Sequence, residues 1–372
     1  MRKIPIAKPF YNERIEEAVV NVLRSGRLVC GPVVAEFERL LADYIGARHV
    51  VAVSSGTAAL HLALLANGIQ PGDEVITTPF TFASSVNAII YCGGIPVFAD
   101  IDPETYNIDP DRIEERITPR TVGIEAVHLY GHPAEMDAIN EIAQRHGLWV
   151  VEDAAQGIGA EYRGRKVGSA GNLTCFSTYC TKNLHSGEGG FIACHEDSMA
   201  EKLRMMRNIG QDGKYNHVML GYNYRMTEIQ AAIGREQVPL IEEFTRNRRN
   251  NARRLNEALR AIDGITTPYE ASYVRHAYHQ YAILVDETKL GFNRDELARR
   301  LSRHGIETAV HYPVPVYAQP YFRERFGRSL TPAQGYPITE RVCSRILSLP
   351  VHPALSDEDM DYMVEVLHNV MA

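Results

Sequence analysis

The chain is poor in the features that mark several large protein classes. No apolar run reaches the roughly 18 residues of a membrane-spanning helix, and the N-terminal stretch MRKIPIAKPFYNERIEE has no apolar core of signal-peptide length. The six cysteines, Cys30, Cys92, Cys175, Cys180, Cys194 and Cys343, form no CxxC pair and no zinc-like spacing. Cysteines so scattered point to reduced thiols in a cytoplasmic protein. Acidic residues outnumber basic ones, 46 to 39, for a net charge of −7, so no nucleic-acid partner is expected. There is neither a GxGxxG fingerprint nor a Walker loop, which removes the usual nicotinamide and ATP sites.

What remains is an ordinary globular composition, 45% hydrophobic over 372 residues, enough for two or three domains or for one large α/β domain with an appendage. The periodicity predicts helices over 12–25, with Ile15, Ala18, Val19, Val22 and Leu23 on one face, and again around Val34, Phe37, Leu40, Leu41 and Tyr44. Strands (49–53, 74–78, 96–99, 122–128, 148–152) then alternate with helices (58–66, 82–92, 134–146) and a short helix near 110–117. These strands are apolar on both faces and β-branched, as in a buried parallel sheet. Short strands follow near Thr174–Thr178 and Phe191–Ala193, then a long charged helix from about 226 to 262. A β–α–β–α tail comes last, with a strand at 280–286, a helix at 294–305, a strand at 306–312 and a helix after Ser356. The expected fold class is α/β: a three-layer large domain with a mostly parallel sheet over 1–245, and a smaller α/β domain over 246–372.

Three segments carry candidate chemistry. In SSGTAAL (54–60) a strand gives way to a helix, where free N–H groups and the helix dipole favour a phosphate. Gly56 admits close backbone approach and Thr57 brings a hydroxyl. An ordinary Ser/Thr helix cap would look the same. In LWVVEDAAQG (148–157) a strand ends in Glu152 and Asp153, at the strand end where doubly wound sheets bind ligands. A carboxylate buried there requires a cation, either a protonated ring nitrogen or an arginine, unless Asp153 caps a turn. In CFSTYCTKNLHSGEGG (175–190) Ser177 ends a strand, and Lys182 follows among Phe176, Tyr179 and Cys180. A lone lysine is usually a solvated charge, but a desolvated one becomes a nucleophile for carbonyls. Together the segments offer a phosphate cradle, an anion for a ring nitrogen and an amine for an aldehyde, the three requirements of pyridoxal phosphate (PLP). His128 and His132 stand four apart but span a strand end and a turn before Pro133, so no metal site is expected.

The sequence resembles the DegT/StrS-type sugar aminotransferases, PLP enzymes of the aspartate-aminotransferase fold. The resemblance rests on GPVVAEFERLLADYIGARHVVAVSSGTAALHLAL, DEVITTPFTF, VEDAAQGIGAEYRGRKVGSAGN, FSTYCTKNLHSGEGG, GYNYRMTEIQAAIG and LSLPVHP, and runs from near residue 25 to the C-terminus. It implies that Lys182 holds the cofactor as a Schiff base and moves the proton. It further implies that Asp153 pairs with the ring nitrogen, that Gln156 bonds the ring hydroxyl and that Phe82 stacks on the ring. Thr57, the Ala58 amide and Ser177 would hold the phosphate beside Gly56, and Asn223 would reach it from the other subunit of a homodimer. His311 and Tyr312 match a motif near the family's active site without an assigned role. Ile158 stands where many members have histidine, which bears on substrate contacts. Dehydratase relatives replace the lysine by histidine, so Lys182 favours amino transfer. The implied reaction moves an amino group, from L-glutamate, to the keto carbon of a nucleotide-linked keto sugar. A keto-cyclitol acceptor, or a non-catalytic regulator keeping the fold, are the alternatives.

Overall fold

The computed structural model describes residues 2–327, 330 and 335–371. Nine strands fall in the first two thirds of the chain: β1 (His49–Val53), β2 (Glu74–Thr77), β3 (Ile95–Phe98), β4 (Thr121–Val127), β5 (Trp149–Asp153), β6 (Glu161–Tyr162), β7 (Arg165–Lys166), β8 (Leu173–Ser177) and β9 (Gly190–Cys194). Seven form the central sheet, in the order β1-β9-β8-β5-β4-β2-β3. All neighbours pair in parallel except β9, which runs antiparallel between β1 and β8. The two-faced apolar strands are thus explained by helices on both sides.

The helices of this part are α1 (Glu13–Ser25), α2 (Pro32–Ile45), α3 (Gly56–Ala66), α4 (Ala83–Tyr91), α5 (Met136–His146), α6 (Asp197–Arg207), α7 (Glu228–Arg235) and α8 (Ile241–Leu259). Helix α1 begins where the Asn12 side chain accepts the Ile15 N–H and stops at Gly26, whose φ of 69° suits glycine. Helix α3 is apolar all round, and it packs with Ala88, Ile89, Leu203 and Met206 against Val51, Val151 and Ile192 of the sheet. On the opposite face Val34, Phe37 and Leu41 of α2 cover Phe176 and Phe191, and Ile139 and Ile142 of α5 cover Ile124 and Val150. The result is a three-layer α/β sandwich.

Three expectations need correcting. The charged stretch 226–262 is two helices, because Pro239 in the 3-10 turn Val238–Leu240 cannot donate its missing N–H to a continuous helix. Residues 110–117 make two 3-10 turns, not a helix. Residues 306–312 are no strand, and pair only at Ile306 with Ile4 and at Ala309 with Ser348. Helix α8 runs unbroken across residue 245. Three of its arginines pair with acids: Arg249 meets Glu270, Arg253 meets Glu257 and Arg254 meets Asp357. Beyond it, Ile265–Thr266, Tyr281–Val285 and Ile346–Leu349 form an antiparallel sheet. Its core gathers Leu255, Ile283, Leu297, Leu349, Met360 and Leu367, together with Ile4 from the N-terminus. Among the described residues no helix is long and apolar enough to cross a membrane.

Candidate active site

A cavity of about 440 Å³ opens at the carboxyl ends of the parallel strands, within the size range of cofactor sites. Gly56, Thr57, Phe82, Asp153, Gln156, Ser177, Lys182, His311 and Tyr312 all line it. Segments that are distant in sequence therefore meet at one place.

One wall is the start of α3. Helix geometry leaves its first N–H groups without intrahelical partners. The Ser55 hydroxyl takes the Ala58 N–H at 3.1 Å, so the amides of Gly56 and Thr57 are left as the forward donors. A Cβ on Gly56 would lie 2.8 Å from the Ser177 Cβ, so only glycine lets this turn close onto the end of β8. The Thr57 hydroxyl donates to Ser84 at 2.9 Å.

The floor is Asp153, buried at the end of β5. Its Oδ2 accepts from the Ser85 hydroxyl at 2.7 Å and its Oδ1 from the Ala155 N–H at 3.0 Å. Among the described residues no arginine pairs with it and none lines the cavity. Asp153 therefore points an oriented carboxylate at the cavity. Gln156 is held at both ends: its Oε1 accepts the Tyr130 N–H at 2.6 Å, and its Nε2 donates to the Tyr312 hydroxyl at 3.2 Å. The Tyr130 hydroxyl in turn donates to the His311 carbonyl.

Lys182 stands in the loop after β8, its backbone N–H donating to the Tyr179 carbonyl at 2.9 Å. Burial lowers its pKa to about 8, against an opposing pull from Asp153. His279 and His311 near it are held neutral mainly by burial, with Lys182 adding to the effect. Phe82 remains 59% exposed at the cavity mouth, its ring 6.2 Å from that of Tyr312.

Two residues singled out in the sequence lie elsewhere. Asn223 is exposed, outside the cavity, and its backbone bridges Asn208. Ile158 is buried in the apolar cluster with Val34 and Phe37, so it makes no cavity wall. His128 and His132 point to separate partners, Glu152 at 2.8 Å and the Pro133 carbonyl at 2.8 Å. Sequence reasoning missed Ser85, Tyr130, His279 and Gln280. Ser85 lies 68 residues from Asp153, and no local pattern links them. A second groove, of about 320 Å³, lies near Asn67, Trp149 and His195 and contains none of these groups.

The donor set fits PLP: a glycine turn too tight for a side chain, an oriented carboxylate and a desolvated amine share one cavity. Comparison with known proteins agrees. Residues 9–368 match the family model described as the DegT/DnrJ/EryC1/StrS aminotransferase family. The spore coat polysaccharide biosynthesis protein SpsC of Bacillus subtilis is 40% identical, covering 99% of this chain and 97% of that protein. GDP-perosamine synthase of Caulobacter vibrioides is 39% identical, covering 92% and 91%. The crystal structure of S. venezuelae DesV in complex with a ketimine intermediate superposes with a TM-score of 0.91 at 37% identity, covering 96% and 94%.

Proposed function

Because this chain belongs to the DegT/DnrJ/EryC1/StrS aminotransferase family, and so is a PLP-dependent sugar aminotransferase, we propose that it aminates the keto carbon of a nucleotide-linked keto-deoxy sugar with L-glutamate as donor. The observation that carries this reading is Lys182 and Asp153 facing one cavity beside the Gly56–Ser177 turn. The nucleotide-linked acceptor is supported by relatives such as GDP-perosamine synthase.

Bound PLP supplies the electron sink through which an amino group passes from donor to acceptor. Lys182 Nζ is the amine that would hold the cofactor's aldehyde and, once released, would carry the proton. With a pKa of about 8, a useful fraction is neutral and nucleophilic near neutral pH. Asp153, oriented by Ser85 and the Ala155 amide, would pair with the ring nitrogen and hold a proton on it. Gln156 has an amide hydrogen that could serve the ring hydroxyl, and Phe82 would cover the ring. The Gly56 and Thr57 amides with Ser177 hold the phosphate, and Ala58 joins them when Ser55 yields its N–H. Asn223 serves a second copy of the chain across a homodimer. Tyr215, Val218 and Leu220, 78%, 51% and 79% exposed on the same stretch, supply apolar surface for that pairing.

The test is turnover. Protein reconstituted with PLP is incubated with glutamate and a panel of nucleotide-linked keto sugars, keto-cyclitols and simple keto acids, and 2-oxoglutarate is followed. Release dependent on a nucleotide-linked keto sugar is expected. Turnover restricted to acceptors without a nucleotide would overturn the proposal. Sedimentation of the purified protein as a monomer would remove the homodimer.

A further inference from the structure

Seven acids are buried among the described residues: Glu38, Glu74, Asp100, Glu125, Glu152, Asp153 and Glu228. Six are partnered. Glu38 meets Arg207 and Glu74 meets Arg120. Asp100 accepts from Thr339 and Glu152 from His128 and Asn172. Asp153 accepts from Ser85, and Glu228 caps the amides of Gly31, Val33 and Val34. Glu125 is fully buried, and neither of its oxygens has a hydrogen-bond partner. An apolar side chain would serve the fold better there, since an unmet buried polar group is destabilising.

Its place in the sheet is specific. In the β4–β5 register Val127 lies opposite Asp153, and Glu125 opposite Val151. Residues two apart on a strand share a face, so Glu125 sits on the same face as Asp153, one pleat further from the cavity. Strand spacing and rise put the two at roughly 8 Å. The titratable groups facing Glu125 are Asp153 on β5, Cys175 on β8 and Cys92 after α4, and none is cationic. Burial first, and the Asp153 charge second, hold the Glu125 carboxyl well above the ordinary carboxylate range.

We propose that Glu125 is a positioning residue for the cofactor ring: a buried, unpartnered acid one pleat behind Asp153 that acts on the ring nitrogen through Asp153, leaving Asp153 as the single anion there while Glu125 holds its proton and adding a second negative charge behind it once Glu125 ionises. Ionised Glu125 then favours the cationic form of the lysine-bound cofactor, so the cofactor keeps its proton to higher pH. This rests on the roles of Lys182 and Asp153 proposed above.

Three measurements test it. In the cofactor-free protein at neutral pH, the infrared difference between wild type and Glu125→Gln should contain the band of a protonated carboxyl, lost as pH rises. Glu125→Leu should melt at a higher temperature than wild type, which guards against a variant that merely misfolds. With PLP bound, the alkaline transition of the visible band should fall at lower pH in Glu125→Gln, by on the order of tenfold in proton affinity. An ionised carboxylate in the infrared at neutral pH overturns the inference. So do superimposable visible titrations, provided the band is present in wild type and absent in Lys182→Ala. A wild-type protein with no band overturns the reading of Lys182 and the inference together.

Discussion

Glu152 and Asp153 are adjacent carboxylates at the end of β5, yet they face two different regions. Glu152 points to the α5 side, where His128 Nε2 at 2.8 Å and Asn172 Nδ2 at 3.0 Å satisfy it. Asp153 points to the α4 side, where Ser85 and the Ala155 amide orient it and, among the described residues, no salt bridge to it forms. The first face closes its polar groups among themselves and serves stability. The second leaves an anion, an amine and helix-start amides without full partners around a cavity. Such under-satisfaction is destabilising unless a ligand completes it, which is the physical mark of a binding site.

That contrast can be broken or sharpened by substitution. Lys182→Ala should lower turnover by at least on the order of 10³-fold and abolish the visible absorption of the lysine-bound cofactor, read by spectrophotometry. In wild type, cofactor uptake by the cofactor-free protein should quicken as pH rises through about 8 and then level off, because burial places the Lys182 pKa there and only the neutral amine attacks. Asp153→Asn should reduce turnover by on the order of 10²-fold with the band retained. An equal effect from Glu152→Gln would erase the distinction between the faces. Gly56→Ala should weaken PLP affinity by about tenfold in equilibrium titration, since its Cβ would press on Ser177. Glu152→Ala should change turnover least, but lower stability by about 1–3 kcal/mol in denaturant melts, because it leaves the buried His128 N–H unmet.

Much of the fold was legible because its signals are local. The apolar strands β2, β4 and β5 and the apolar α3 stand close to their expected places, and α1 spans Glu13–Ser25 where a helix over 12–25 was expected. The errors came where local pattern and tertiary context disagreed. IETAVHY alternates like a strand, but its backbone is pinned at only two points as it turns toward the cavity. The stretch after Met226 has helical composition throughout, and a single proline divides it.

The sequence alone determined that two carboxylates end an apolar strand, that a Ser-Ser-Gly-Thr turn opens a helix and that a lysine follows a second strand. Helix period, strand alternation and caps are set within about ten residues, so a linear string records them. Only the tertiary structure decided which carboxylate faces the cavity. It also decided that Ser85 orients it, that Tyr130 and Tyr312 hold Gln156, that Ile158 is in the core and that Glu125 lies unpartnered behind Asp153. Those facts follow from strand order and from which helix covers which face, and they join residues 26 to 156 positions apart, a distance over which no local periodicity carries information.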